Sequence, residues 1–336
     1  MRLASLVLTG SLFSMALVPG CGGDDGGGGG GGGPDAGTFD APPAVQPGWA
    51  SFSATALAAD AEYLYAGGSE LVRIPLAGGE PETLYTLPPT DGNATVAAIH
   101  VAGDHLVFVA QEISFVGETT QQLMRIGKGG GTAATLASST DQRAFLGVTV
   151  DGDQVYYSTF TNLYRVPLAG GSSQLVGESP ELIQYWAVSP TIVGDDLYWA
   201  EGTRLYKIAK TASGGQGTRV AELGLTGRII ASGGPGEPFT VSLKVGDVGF
   251  SGALAVAEVD PTTGMIDGDP IQLDREVDYV LATDEALWTA SSDGALRVPR
   301  AGGAAEQLVS EWTWALADTD DAVFAATTTN ITRLAR

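Results

Sequence analysis

The chain has 336 residues, of which 48 are glycine and 17% are charged, with 39 acidic against 17 basic side chains and a net charge of -22. That field repels nucleic acid and anionic lipid head groups, and glycine at about twice its usual share favours many turns over long, charged helices. One cysteine and two histidines exclude an intrachain disulfide, all but exclude a Cys/His zinc site, and confine any Ser-His-Asp or Cys-His mechanism to His100 or His105.

Met1–Gly20 reads as a secretion signal. Arg2 and the amino terminus supply the positive start, and Leu3–Val18 is apolar but too short and too broken by Ser, Thr and Gly to span a bilayer comfortably. It ends in "VPGC", Val18–Cys21, which resembles the lipobox of bacterial lipoproteins, a small residue directly before an invariant cysteine. The resemblance implies that Cys21 is lipidated and heads the mature chain; Pro19 departs from the small or hydroxyl residue usual at its place. Two or three acyl chains, as in that family, hold a protein firmly where one would not. Cys21–Gln46 is expected as a flexible tether. Its "GGDDGGGGGGGGPDAGTFDAPP" has almost no apolar side chains to offset the entropy of ordering. About 25 such residues span roughly 25–30 Å, enough to float a domain clear of a membrane. Gly22, not Asp, follows the cysteine. By the sorting rule of enteric lipoproteins, that favours the outer over the inner membrane of a Gram-negative cell envelope.

From Pro47 to Arg336 the chain is expected to form one domain, and after Trp49 it becomes periodic. One unit reads "LGVTVDGDQVYYSTFTNLYRVPLAGGSSQLVGE", Leu146–Glu178. Four alternating runs of β-branched and aromatic residues are separated by Asp-Gly and Gly-Gly turns, which predicts a four-stranded antiparallel meander. The second strand is marked by Leu64, Leu106, Val155, Leu197, Phe239, Leu287 and Val323. The third is marked by "LVRI", "LMRI", "LYRV", "LYKI", "VAEV", "ALRV" and "ITRL". Units of roughly 40–50 residues with four strands are the signature of β-propeller blades. Seven markers predict an all-β, seven-bladed propeller. Six or eight blades are the fallback, because the fifth unit, "PFTVSLKVGDVGFSGALAVAEVD", has a stretched second hairpin.

The chain stops after the seventh third strand, so Ala44–Phe52 is predicted to supply the missing outer strand; Pro47 is tolerable there because that strand is an edge. The repetition of "LYRVPLAGG" follows from wedge-shaped blades that present the same faces to one another. Leu163 and Val166 should therefore point to opposite neighbours. The repeated basic position (Arg73, Arg125, Arg165, Lys207, Arg297, Arg333) is spread around the ring, cannot converge on one anion, and should pair locally.

"DDLYWAEGTRLYKIAK", Asp195–Lys210, resembles the YWTD repeat of receptor-type propellers in Tyr198, Trp199 and Lys207, but Ala200 and Glu201 replace its Thr-Asp half. The domain as a whole is similar to secreted propeller lipoproteins of Gram-negative bacteria with "LYRVPxxGG" units. That resemblance implies fold and not ligand.

Asp-rich hairpins such as "DTDDA", with Asp318, Asp320 and Asp321, match no calcium loop and read as turns, and no metal or cofactor is expected. "EVDPTTGMI" matches one fragment of the quinoprotein repeat, without the tryptophan that should follow, and reads as a turn. His100 and His105 read as surface or blade-packing residues. The remaining candidate is one face of the ring, formed by segments leading into first strands and by the turns between second and third strands. It should carry Tyr185, Trp186, Trp312 and Trp314, and a long loop Ala110–Gln122 with Glu112 and Phe115. Aromatic rings beside carboxylates suit a neutral or cationic ligand: a sugar, a peptide or a protein. The reading of the same rings as core that plugs the funnel is the favoured one. A tethered binding module is the function expected, with no nucleic acid as partner. A propeller enzyme of lactonase, lyase or hydrolase type is the alternative, opposed by the shortage of histidine, and a scaffold without a pocket is a third.

Overall fold

The computed structural model describes residues 45–336 apart from 141–144, 146, 160, 179–189, 202, 224–225, 232–238, 245–252, 261–262, 264 and 301–303. Alternating apolar runs and glycine turns produce seven four-stranded antiparallel sheets, and no helix occurs among the described residues. Gly103 and Gly152, in the first hairpins of blades two and three, have φ of 57° and 55°, the left-handed region that favours glycine.

Blade one is Ala56–Ala59, Tyr63–Gly67, Glu70–Pro75 and Glu82–Thr86. Blade two is Asn93–Ala102, His105–Ile113, Thr119–Gly127 and Gly130–Ser139. Blade three is Val148–Asp151, Gln154–Ser158, Asn162–Pro167 and Gln174–Glu178. Blade four is Thr191–Val193, Asp196–Glu201, Arg204–Ala209 and Thr218–Glu222. Blade five is Thr226–Ala231, Phe239–Lys244, Ala253–Val259 and Ile266–Val277. Blade six is Tyr279–Ala282, Ala286–Ser291, Gly294–Pro299 and Glu306–Val309. Blade seven takes Thr313–Asp318, Ala322–Thr327 and Ile331–Ala335 from the end of the chain and Val45–Ala50 from its beginning.

The predicted repeat is exact in register. Each second-strand marker faces the same third-strand position: Leu64 with Ile74, Leu106 with Ile126, Val155 with Val166, Leu197 with Ile208. Phe239 with Val259, Leu287 with Val298 and Val323 with Leu334 complete the series. The weak fifth unit is a full blade. Ring closure by the amino-terminal segment also holds: Val45 faces Leu334, Gln46 faces Arg333 and Ala50 faces Ile331, with an irregularity between that accommodates Pro47 and Gly48. The strand thus starts ahead of Pro47, where the domain boundary was expected. Trp49 packs on Phe324 with ring centroids 4.8 Å apart.

The core lies between blades. Val166 packs with Val107, Leu123 and Leu136 of blade two, whereas Leu163 packs with Leu197 of blade four, so the two do point to opposite neighbours. Each such side chain contributes about 1.5–3 kcal/mol through removal from water. The outer strand bulges at the same position in blades one, two, three, four and six, between Leu71/Val72, Leu123/Met124, Leu163/Tyr164, Leu205/Tyr206 and Ala295/Leu296 of its partner, and blade two has a second irregularity between Arg125 and Gly127. The extra residue is apolar, and Leu84, Leu136 and Val176 are buried. A bulge increases local twist, which suits the strand farthest from the ring axis.

Of the repeated basic residues, Arg73, Arg165 and Lys207 pair locally, and the interblade contacts link blades two by two. Arg73 Nε donates to Glu82 at 2.9 Å and its Nη1 to the Lys128 carbonyl of blade two at 3.1 Å. Lys128 reaches back to Asp60 of blade one at 2.6 Å. Between blades three and four, Arg165 donates to Gln174 at 3.1 Å and to the Lys210 carbonyl at 2.9 Å, and Lys210 reaches back to Asp151 at 2.6 Å. In blade five Glu258 replaces the basic residue, and Arg300 of blade six pairs with it.

Burial opposes the charge on Asp60, but Lys128, the Glu62 and Tyr63 amides and the Tyr65 hydroxyl outweigh it, holding the carboxyl at about 2 against a usual 3.8. A lowered acid pKa stabilises the fold above the unfolded value, and the contribution is lost as pH falls through the folded one. Asp60→Asn should therefore cost about 1–2 kcal/mol at pH 7. In urea unfolding, the gap to wild type should close as pH drops from about 4 towards 2. A gap independent of pH would show that the ion clasp is not the cause.

Candidate ligand-binding face

In every blade the first strand starts, and the second strand ends, at one rim of the ring. The turns between first and second and between third and fourth strands lie at the opposite rim. Among the described residues, the exposed large apolar side chains are Val45, Ile113, Phe115, Val116, Met265, Tyr279, Trp312 and Trp314. Six of these eight stand at the first rim; only Val45 and Met265 stand at the other.

Trp312 and Trp314 flank Thr313, the first residue of blade seven's inner strand. Thr313 faces Thr327 and Ala315 faces Ala326, so Trp314 is the extra residue of a β-bulge. Bulges re-aim side chains, and here Thr313 and Ala315 are buried while the tryptophans are 45% and 41% exposed. Their rings stack at 4.3 Å with 21° between planes. The pair is therefore an exposed aromatic platform and not core.

The expected loop Ala110–Gln122 is a continuation of the blade. The second strand runs to Ile113 and the third starts at Thr119, with Ala110–Gln122, Gln111–Gln121 and Glu112–Thr120 in register. Alternation explains the difference: Thr119 and Gln121 are buried, while Ile113 and Thr120 are exposed. Only Ser114–Glu118 turns, closed by the Ser114 amide on the Glu118 carbonyl at 2.8 Å. Phe115 sits at this tip with 87% exposure, beside exposed Val116, and Glu112 is half-buried on the strand below. Gly92 lets the incoming segment pass the hairpin, since a Cβ there would lie 1.9 Å from the Ile113 carbonyl oxygen.

Tyr279, at the start of blade six, joins this rim, although its sequence neighbourhood, "REVDYVLA", reads as an ordinary strand start. Tyr185 and Trp186 lie outside the described residues. Asp91, Glu118, Asp278, Asp293 and Glu311 stand at the same rim and give it an acidic border. The histidines do not belong to it: His105 opens blade two's second strand at the opposite rim, and burial lowers His100 to about 4, leaving it neutral at pH 7. Among the described residues, no three His, Cys, Asp or Glu side chains are grouped to hold a metal ion.

No protein-family model and no curated protein matches the chain by sequence. Solved structures match its fold. A chain of the mitotic checkpoint complex aligns at TM-score 0.64 and 9% identity, covering 90% of this chain and 97% of that one. YCF48 bound to D1 peptide aligns at TM-score 0.56 and 13% identity, covering 88% and 97%. The extracellular domain of a one-component system of B. thetaiotaomicron, BT4673, aligns at TM-score 0.56 and 10% identity, covering 85% of this chain and 38% of that one. The chain is thus a seven-bladed propeller, a fold consistent with a binding or interaction module.

Proposed function

We propose that this protein is a lipid-anchored binding module of the Gram-negative cell envelope, which docks a neutral or cationic polypeptide on the rim carrying Trp312, Trp314, Tyr279, Phe115 and Val116. The observation that carries the reading is the concentration of exposed apolar side chains on that rim, six of eight among the described residues. Large apolar side chains exposed together on one face and bordered by polar groups mark interaction sites. The acidic border and the net charge of -22 select against anionic partners. Extended peptides suit a surface of this kind better than small ligands, because the aromatic groups stand on different blades. One propeller of similar fold, YCF48, is bound to a peptide.

The test uses a panel of peptides rich in lysine, arginine and aromatic residues. Trp312→Ala and Trp314→Ala should each weaken binding about tenfold or more. Because both rings are substantially exposed, the variants should melt within about 1 kcal/mol of wild type. Peptide affinity unchanged in both would remove this rim as the docking site. The anchor is tested separately. Cys21→Ala should move the protein from the membrane to the soluble fraction, and retention at the wild-type level would refute lipidation.

A further inference from the structure

The basic residue of the third strand is hydrogen-bonded at two blade interfaces, through Arg73 and Arg165, but at the interface of blades two and three its partners are gone. Asp60 and Asp151, which receive a lysine from the next blade, correspond to Ala102 in blade two, and Lys128 and Lys210 correspond to Leu168 in blade three. Across the sheet, Arg73 faces Glu82 and Arg165 faces Gln174, but Arg125 faces Ala134. Arg125 Nε is buried without a hydrogen-bond partner among the described residues. Arg297 also has an unbonded Nε, but its guanidinium lies over the Trp288 ring at 5.9 Å, a partner Arg125 lacks.

Where the clasp is missing, a cleft of about 540 Å³ opens, lined by Arg125, by Ala102, Pro167 and Leu168, and by Asp104 and Asp153 among others. It has three kinds of wall: a guanidinium without a counter-charge, an apolar floor in which Ala102 and Leu168 are buried, and exposed carboxylates at the mouth. The geometry points to a binding site for a small α-amino acid with an apolar side chain. Its carboxylate would take the bidentate fork of Arg125. Its side chain would cover Leu168 and Pro167, and its ammonium group would face Asp104 and Asp153. A simple anion would meet those carboxylates unfavourably, and a simple cation would meet Arg125; a zwitterion satisfies both. The site lies at the rim opposite the tryptophan platform and is independent of it.

The experiment is calorimetric titration of the folded protein with L-leucine as probe. Saturable binding is expected, with leucinamide, which lacks the carboxylate, and 4-methylpentanoate, which lacks the ammonium group, each binding at least about tenfold more weakly. Arg125→Gln should weaken leucine binding by a similar factor. The double variant Ala102→Asp/Leu168→Lys restores the clasp residues of the neighbouring interfaces. It should fill the cleft, abolish leucine binding and raise the melting temperature, which keeps the test valid should Arg125→Gln fold poorly. No saturable heat up to about 10 mM leucine would overturn the proposal. So would undiminished affinity in Arg125→Gln or the double variant, or equal affinity for either analogue.

Discussion

Removing Val45–Ala50 should destabilise the whole domain, and by more than loss of an ordinary terminal segment. The segment is the outer strand of a blade whose other three strands come from the far end of the chain. Its loss strips Trp49 from Phe324, removes the buried Ala50, and leaves the Ile331–Ala335 strand as an unpaired edge. Trp49 is only partly buried, so the loss of its packing together with that of Ala50 should cost about 3 kcal/mol. In a domain of this size, about 3 kcal/mol lowers the melting temperature by roughly 5 °C. The exposed edge should also make melting concentration-dependent, because unpaired strands recruit other chains. Calorimetry checks both, and unchanged melting would mean that the ring does not depend on this strand.

Trp288→Ala should have an effect of similar size by a different route. Trp288 is 1% exposed and packs among Ala286, Leu316 and Val323 between blades six and seven. Its Nε1 donates to Thr283 Oγ1 at 3.4 Å, and Arg297 lies over its ring. Deleting it leaves a cavity in a closed ring that cannot collapse freely, so a loss of about 3–5 kcal/mol is expected in urea unfolding. A loss below about 1 kcal/mol would show that the blade interface repacks. The contrast with Trp314→Ala is the informative one, since "ALWTAS" and "EWTWAL" look alike as sequences.

That contrast shows what the sequence makes legible. Blade number, strand order and ring closure follow from period-two alternation and turn residues, which act locally, and Leu64 to Val323 mark their strands without a miss. The tryptophan platform was visible only as a pair of alternatives, because one bulged residue decides whether Trp314 faces core or solvent, and no residue type announces a bulge. "AQEISFVGETTQQ" reads as a loop from its Ser, Gly and Glu, while its alternation continues both strands nearly to the tip. The interblade clasps were legible as local pairing of the basic residues. Their two-by-two arrangement was not, because it requires aligning Lys128, Leu168 and Lys210 across blades that only the three-dimensional register brings together.

The claim that ligands land on the tryptophan rim is tested most directly by the indole N–H signals. The chain has 6 tryptophans, so the ¹H–¹⁵N spectrum offers few peaks and each can be assigned by substitution. Titration with a lysine- and phenylalanine-containing peptide should shift the Trp312 and Trp314 signals in step with binding and leave that of buried Trp288 in place. Saturable binding that moves other indoles while Trp312 and Trp314 stay fixed would contradict the account.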